Sequence, residues 1–136
     1  MSASDSLHPI QLRHIAKHFE TKHLSDMGLT EPANAEGECD GCVSRFGEKS
    51  GIKNLKQQWY MDPNTGYNHV VHHIDTSVGP HVVDFTFRQF DPVAPHPLVE
   101  PVTHYESRPQ LRKYKPTTAW EALGFSKNPE LGDSDD

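Results

Sequence analysis

No stretch of the chain is apolar for long enough to cross a bilayer, and the N-terminal MSASDSLHPIQLRHIAKHF opens with an acid rather than a basic cluster. Neither a signal peptide nor a membrane span is expected. Cysteine is nearly absent: Cys39 and Cys42 are the two in the chain, too few and too close together for the disulfide framework of a small secreted domain. A reducing, cytoplasmic location is therefore the expectation. Basic charge is also short, with 13 Lys and Arg against 19 Asp and Glu and a net charge of -6. A nucleic acid or an anionic membrane needs a basic face and is not the expected partner. Ten histidines alter that balance only below about pH 6.5. With 136 residues, 34% of them hydrophobic, the chain suits one domain with one compact core. Its acidic end, KNPELGDSDD, predicts a solvated, disordered tail over 128–136.

What the chain does have is pattern. From Pro9 onward, Leu12, Ile15, Ala16, Phe19 and His23 recur at helical spacing, with Ser6 or His8 just upstream. This predicts an amphipathic helix over about 9–24, ending before Met27-Gly28. TEPANAEGE reads as a loop. In GECDGCVSRFG, Cys39, Val43 and Phe46 share a helical face, while Gly41 and Gly47 weaken the helix. IKNLKQQWYM ends as a strand at the DPNTG turn. The proline-dense DPVAPHPLVEP is barred from a central strand and is expected to wrap the surface. TTAWEALGF predicts a short helix capped by Thr117 or Thr118, stopped by Gly124, and burying Trp120, Leu123 and Phe125.

The most informative stretch is NHVVHHIDTSVGPHVVDFTFRQFDP, beginning at Asn68. It reads as two antiparallel strands, about 67–75 and 80–87, each carrying a titratable group among apolar neighbours. A two-residue loop at Thr76-Ser77 sets His69 directly opposite Asp84, within hydrogen-bonding reach. A one-residue slip would turn the two to opposite faces. Asp84 lies between Val83 and Phe85, where an unpartnered carboxylate is costly.

A thiol attacks carbonyl carbon as thiolate, which a helix N-terminus and a nearby imidazolium both favour. Cys39 stands at the start of its predicted helix, where unpaired backbone N–H groups also serve an oxyanion. A histidine oriented by a carboxylate completes nucleophile, base and orienter. Cys39, His69 and Asp84 supply these roles in chain order.

GECDGCVSRFG followed by NHVVHHI and HVVDFTFRQFDP resembles the papain-like fold toxins and peptidases of bacterial polymorphic systems, and more distantly transglutaminases and arylamine N-acetyltransferases. The resemblance covers about 37–98. It implies an α+β fold with a papain-like or transglutaminase-like core, a helix with Cys39 at its N-terminus packed on a small antiparallel sheet. On that reading 1–127 is one domain, with a helix at about 9–24, a catalytic core at about 37–98 and a C-terminal arm and short helix at 99–127. The implied activity needs no cofactor. An amide or acyl bond of a protein or peptide substrate is attacked by Cys39, as in a cysteine peptidase, a deamidase or a transglutaminase-type acyl transferase, in the setting of a toxin or effector. Arg88, Gln89 and Phe90 match the strand's exit as structural residues. The customary upstream oxyanion glutamine has no counterpart, and Asn34 is the candidate by position. Asp40 and Trp59 are further candidates for the substrate or oxyanion side, and Cys42 is a competing nucleophile.

Blander uses compete for the same residues. Free cysteine is commonly a buried small hydrophobe. His72, His73 and His81 suit solvent-facing strand positions, with His73 on the face of His69. Trp59, Phe85, Phe87 and Trp120 suit a core. The rival site is zinc, held by Cys39, Cys42, His69 and His73. Its weaknesses are the long gap from Cys42 to His69 and the distance of about 13 Å between His69 and His73 along an extended strand. A third possibility is a triad-bearing fold that binds a partner without turnover.

Overall fold

The computed structural model describes residues 7–123. The first helix, α1 (Pro9–Phe19), is capped reciprocally: the Ile10 N–H donates to His8 Nδ1 at 3.1 Å and the His8 N–H donates to Gln11 Oε1 at 2.9 Å. These bonds satisfy donors that a helix start leaves open. Leu12, Ala16 and Phe19 form its buried face, as the periodicity predicts. The helical path continues through turns at Glu20–Leu24 and Ser25–Met27, and Gly28 at φ 64° ends it. TEPANAEGE departs from the expected loop, because Pro32–Ala35 forms a single turn, α2, with Ala35 buried. Proline at the first position and two alanines suffice for one turn once Ala35 enters the core. Gly37, at φ 81°, then redirects the chain into α3 (Cys39–Lys49).

Five antiparallel strands follow: β1 (Lys56–Met61), β2 (Asn68–Thr76), β3 (Gly79–Asp84), β4 (Leu98–Pro101) and β5 (Lys115–Thr117), in the order β4-β3-β2-β1-β5. Two short helices, α4 (Val102–Glu106) and α5 (Ala119–Ala122), flank β5. The architecture is α+β. The hairpin register differs from the expected one. Thr76 pairs with Gly79 and His72 with Val83, so the loop is Ser77-Val78. The cause is the Thr76 hydroxyl, which donates to Gly79 O at 2.6 Å and accepts from the Val78 N–H at 3.2 Å. Moving the loop by one residue shifts the register by two, and a two-residue shift leaves every side chain on its original face. β3 also stops at Asp84, with Phe87 in a turn over Phe87–Gln89.

Both faces of the sheet are covered. Ile74, Val83 and Val99 pack with Leu12, Phe19 and Phe46 from α1 and α3. Tyr60, Val71, Val82 and Leu98 pack on the other side with Phe87, Tyr105 and Leu111 from the C-terminal arm. Such double coverage explains the near-continuous apolar run of β2. It also corrects the solvent-facing positions expected for two histidines. His72 is buried under α3, within 2.8 Å of Val43 O, and His81 is buried beside Thr76 and Gly79 O. His73 is partly buried, with its Nε2 3.0 Å from the Tyr60 hydroxyl.

The proline-dense segment does more than wrap the surface. Its Leu98–Pro101 stretch pairs with β3 as an edge strand, where proline is tolerated. The Glu100 carboxylate then receives Arg108 Nε at 2.6 Å and Arg108 Nη2 at 2.8 Å, a forked pair that ties β4 to the chain after α4. In α5 the Thr118 hydroxyl caps by accepting from the Glu121 N–H. Trp120 and Leu123 are 37% and 55% exposed, and Ala122 is the residue buried there. A helix of one turn turns only one small residue inward, which overturns the burial expected for both. Gly124, Phe125, Ser6 and the acidic tail lie outside the described residues.

Phe46 is fully buried, with its ring 5.1 Å from those of both Phe19 and Phe85. It joins α1, α3 and the chain beyond β3. Phe46→Ala is expected to lower unfolding free energy by about 3–5 kcal/mol, measured by urea denaturation. A loss under about 1 kcal/mol would contradict this packing.

Candidate active site

His69 and Asp84 are brought together, although not directly opposite. The β2–β3 ladder ends at His72 and Val83, so the two side chains meet diagonally on one face. His69 Nε2 donates to Asp84 Oδ2 at 2.8 Å, with both side chains buried. Asp84 collects further donors: the Tyr105 hydroxyl at 2.7 Å on Oδ2, and on Oδ1 the Thr86 N–H at 2.8 Å and the Thr86 hydroxyl at 3.3 Å. Burial alone favours a neutral carboxyl here. His69, Tyr105 and the Thr86 N–H outweigh it and hold the Asp84 pKa below its ordinary value. Burial likewise favours a neutral imidazole, but the charge and hydrogen bond of Asp84, joined by the Cys39 thiol, raise the His69 pKa from 6.5 to about 10.

Asp84 occupies Nε2, so Nδ1 is the ring nitrogen left for proton exchange. The Gln89 amide lies 3.5 Å from Nδ1 and donates to the Thr86 hydroxyl at 3.3 Å. Phe90 stands edge-on to the imidazole at 5.0 Å between ring centres. Arg88 donates to Ala94 O at 2.8 Å, a structural role for the segment that leaves β3.

Cys39 occupies the first position of α3 and is 8% exposed. Its thiol lies close enough to His69 to be one of the groups that raise the imidazole pKa. No side chain caps this helix start, and the first backbone bond into the helix is from the Cys42 N–H to Glu38 O at 3.1 Å. The N–H groups of Cys39, Asp40 and Gly41 precede it and have no carbonyl one turn back. Trp59 packs with Cys39, Val43, Val70 and Ala122, its indole nitrogen buried without a hydrogen-bond partner. Asp40 is exposed beside the thiol, at a helix start that favours a carboxylate.

Asn34 is engaged elsewhere: its amide nitrogen donates to Gly28 O at 3.2 Å, closing the turn before α2. Cys42 points into the core between α1, α3 and the sheet. Burial, ahead of the Asp84 charge, pushes its pKa up to about 12, which removes it as a competing thiolate at neutral pH. The zinc quartet is not gathered either. His73 interacts with Tyr60 and Cys42 lies in the core. Among the described residues, no three His, Cys, Asp or Glu side chains stand where one ion could be held.

Tyr105 and Thr86 went unread in the sequence. An acceptor two residues before a threonine, as in DFT, is a turn signal that identifies Thr86. Tyr105 carries no local signal, since it reaches Asp84 through the β4–α4 corner. No known protein family, curated protein or solved structure matches the chain, so the chemistry has to be read from the site itself.

The raised His69 pKa means that stability from its protonated form is complete below about 6.5 and is lost as pH rises toward about 10. The lowered Asp84 pKa means that stability from the carboxylate is present above about 3.8 and is lost as pH falls. The stability gap between wild type and Asp84→Asn should therefore be widest between those limits, about 3 kcal/mol, and shrink through pH 7 to 10. A gap that is flat from pH 5 to 10 would refute a buried ion pair. Tyr105→Phe should cost about 1.5–3 kcal/mol, the range for a hydrogen bond to a charged group, by the same denaturation measurement.

Proposed function

We propose that the chain is a papain-like thiol enzyme that cleaves or exchanges an amide or related acyl bond through an acyl-cysteine. The observation that carries this reading is the placement of His69, held at Nε2 by a buried carboxylate, beside a cysteine at an uncapped helix start. In the first step the Cys39 thiolate, its proton already lost and His69 protonated, bonds to the acyl carbon and the carbonyl π pair moves to oxygen. The backbone N–H groups at the start of α3 are suited to receive that oxyanion. The carbon–nitrogen bond then breaks as His69 Nδ1 gives its proton to the leaving amine. In the second step Nδ1 takes a proton from water or an amine as it attacks the thioester, and the thiolate leaves. Water gives hydrolysis or deamidation, and an amine gives transamidation. Asp84 keeps the ring oriented throughout and remains ionised.

A second reading, a triad that binds without turnover, draws on the 8% exposure of Cys39, which leaves little room for an incoming acyl carbon. Iodoacetamide separates the two. The enzyme reading expects Cys39, identified by peptide mass spectrometry, to alkylate at pH 6 at least about tenfold faster than glutathione. That advantage should vanish in His69→Ala, while Cys42 stays unmodified in the folded protein. Alkylation of Cys39 no faster than glutathione, or unchanged in His69→Ala, would defeat the enzyme reading and favour the binding module.

A further inference from the structure

The hairpin between β1 and β2 continues past its last paired residues. The Asp62 N–H donates to Tyr67 O at 2.9 Å, one step beyond the Met61–Asn68 pair. The β1–β5 register, which ends at Met61 and Lys115, brings Tyr114 to the other side of Asp62. Tyr67, Asp62 and Tyr114 thus stand side by side, each one residue past the end of its strand. The row lies two residues along the chain from the Tyr60–His69 pair, about 7 Å in extended backbone.

The contents of this row are unusual for a hairpin end. Asp62 is 5% exposed, and its Oδ1 accepts a hydrogen bond from the Asn64 N–H at 2.9 Å. No lysine, arginine or histidine lies within ion-pair distance of it among the described residues. A largely buried carboxylate with no ion-pair partner is a place where a cation is favoured. Tyr67, whose carbonyl accepts from the Asp62 N–H, is 70% exposed, so its ring is open to an incoming group. Tyr114 links the row to the triad: its ring lies 5.5 Å from Phe90, which in turn lies 5.0 Å from His69. Burial, then the charges of Asp62 and Cys39, raise the Tyr114 pKa, as one shared neighbourhood requires.

From this row we infer a cation subsite beside Cys39, in which the Asp62 carboxylate and the faces of Tyr67 and Tyr114 receive a lysine, arginine or other ammonium group of the substrate. Carboxylate and aromatic faces attract a cation additively, and more strongly where water is excluded. The inference rests on Cys39 as the reacting thiol, and it names a cationic peptide or amine as the substrate class.

The test uses two methanethiosulfonate reagents of similar size, one bearing trimethylammonium and one bearing sulfonate, on the full chain. Their rates at Cys39 are each divided by the rate with glutathione. Asp26→Asn, an exposed site on the turn after α1, makes the same change in net charge and serves as the control. The cationic-to-anionic ratio should fall about tenfold in Asp62→Asn and stay near wild type in Asp26→Asn. Asparagine keeps an acceptor for the Asn64 N–H. Should that variant unfold, Tyr67→Ser, at a largely exposed position, should lower the ratio about threefold. Equal ratios in wild type and in Asp62→Asn, or in Tyr67→Ser where that variant is the one that folds, overturn the subsite. Independence of the cysteine rates from His69 instead overturns the enzyme reading, and the charge ratio still reports on the recess.

Discussion

An imidazole and a carboxylate, both withdrawn from water, meet at 2.8 Å in this protein, and much of the chain is arranged to make that tolerable. An ion pair in such a place loses a large hydration energy, and mutual attraction offsets it only when the remaining lone pairs are also satisfied. Three further donor groups converge on Asp84 to do so: the Tyr105 hydroxyl, the Thr86 N–H and the Thr86 hydroxyl. Phe90 closes over the imidazole edge. The carboxylate in turn favours the protonated form of His69.

The C-terminal arm is best understood as part of that arrangement. β4 binds to β3 along the edge, the Glu100–Arg108 fork anchors the chain after α4, and Arg108 lies over the Phe87 ring at 5.1 Å. Between these anchors the five residues of α4 present Tyr105 to Asp84. The other side of the sheet positions Cys39. α3 lies over β2 through Phe46 and through the contact of His72 Nε2 with Val43 O at 2.8 Å, which sets where Cys39 begins the helix. Two layers on opposite faces thus converge at the end of the sheet where β2 and β3 stop pairing.

The pairing of His69 with Asp84 was legible in the sequence even though the expected register was not the one adopted. Strand side chains alternate with period two, so the even shift forced by the Thr76 hydroxyl preserved the shared face. The loss of direct opposition was recovered by a diagonal contact. The paired cysteines were less informative, since spacing alone treats Cys39 and Cys42 alike. Three residues along a helix turn one to the core and leave the other at an open terminus, and burial then pushes the Cys42 thiol to about 12.

By itself the sequence determined the local order: α1 with its cap, the β2–β3 hairpin, the cysteine at a helix start, and the scarcity of basic charge. Each follows from periodicity, capping chemistry or composition, which act over a few residues. Only the tertiary structure decided that both faces of the sheet are buried, that the proline-dense segment becomes an edge strand, that Asn34 is spent on Gly28, and that Tyr105 reaches Asp84. Those outcomes depend on contacts between residues distant in the chain. A side chain's partner across such a distance is set by how whole layers pack, which no local pattern encodes.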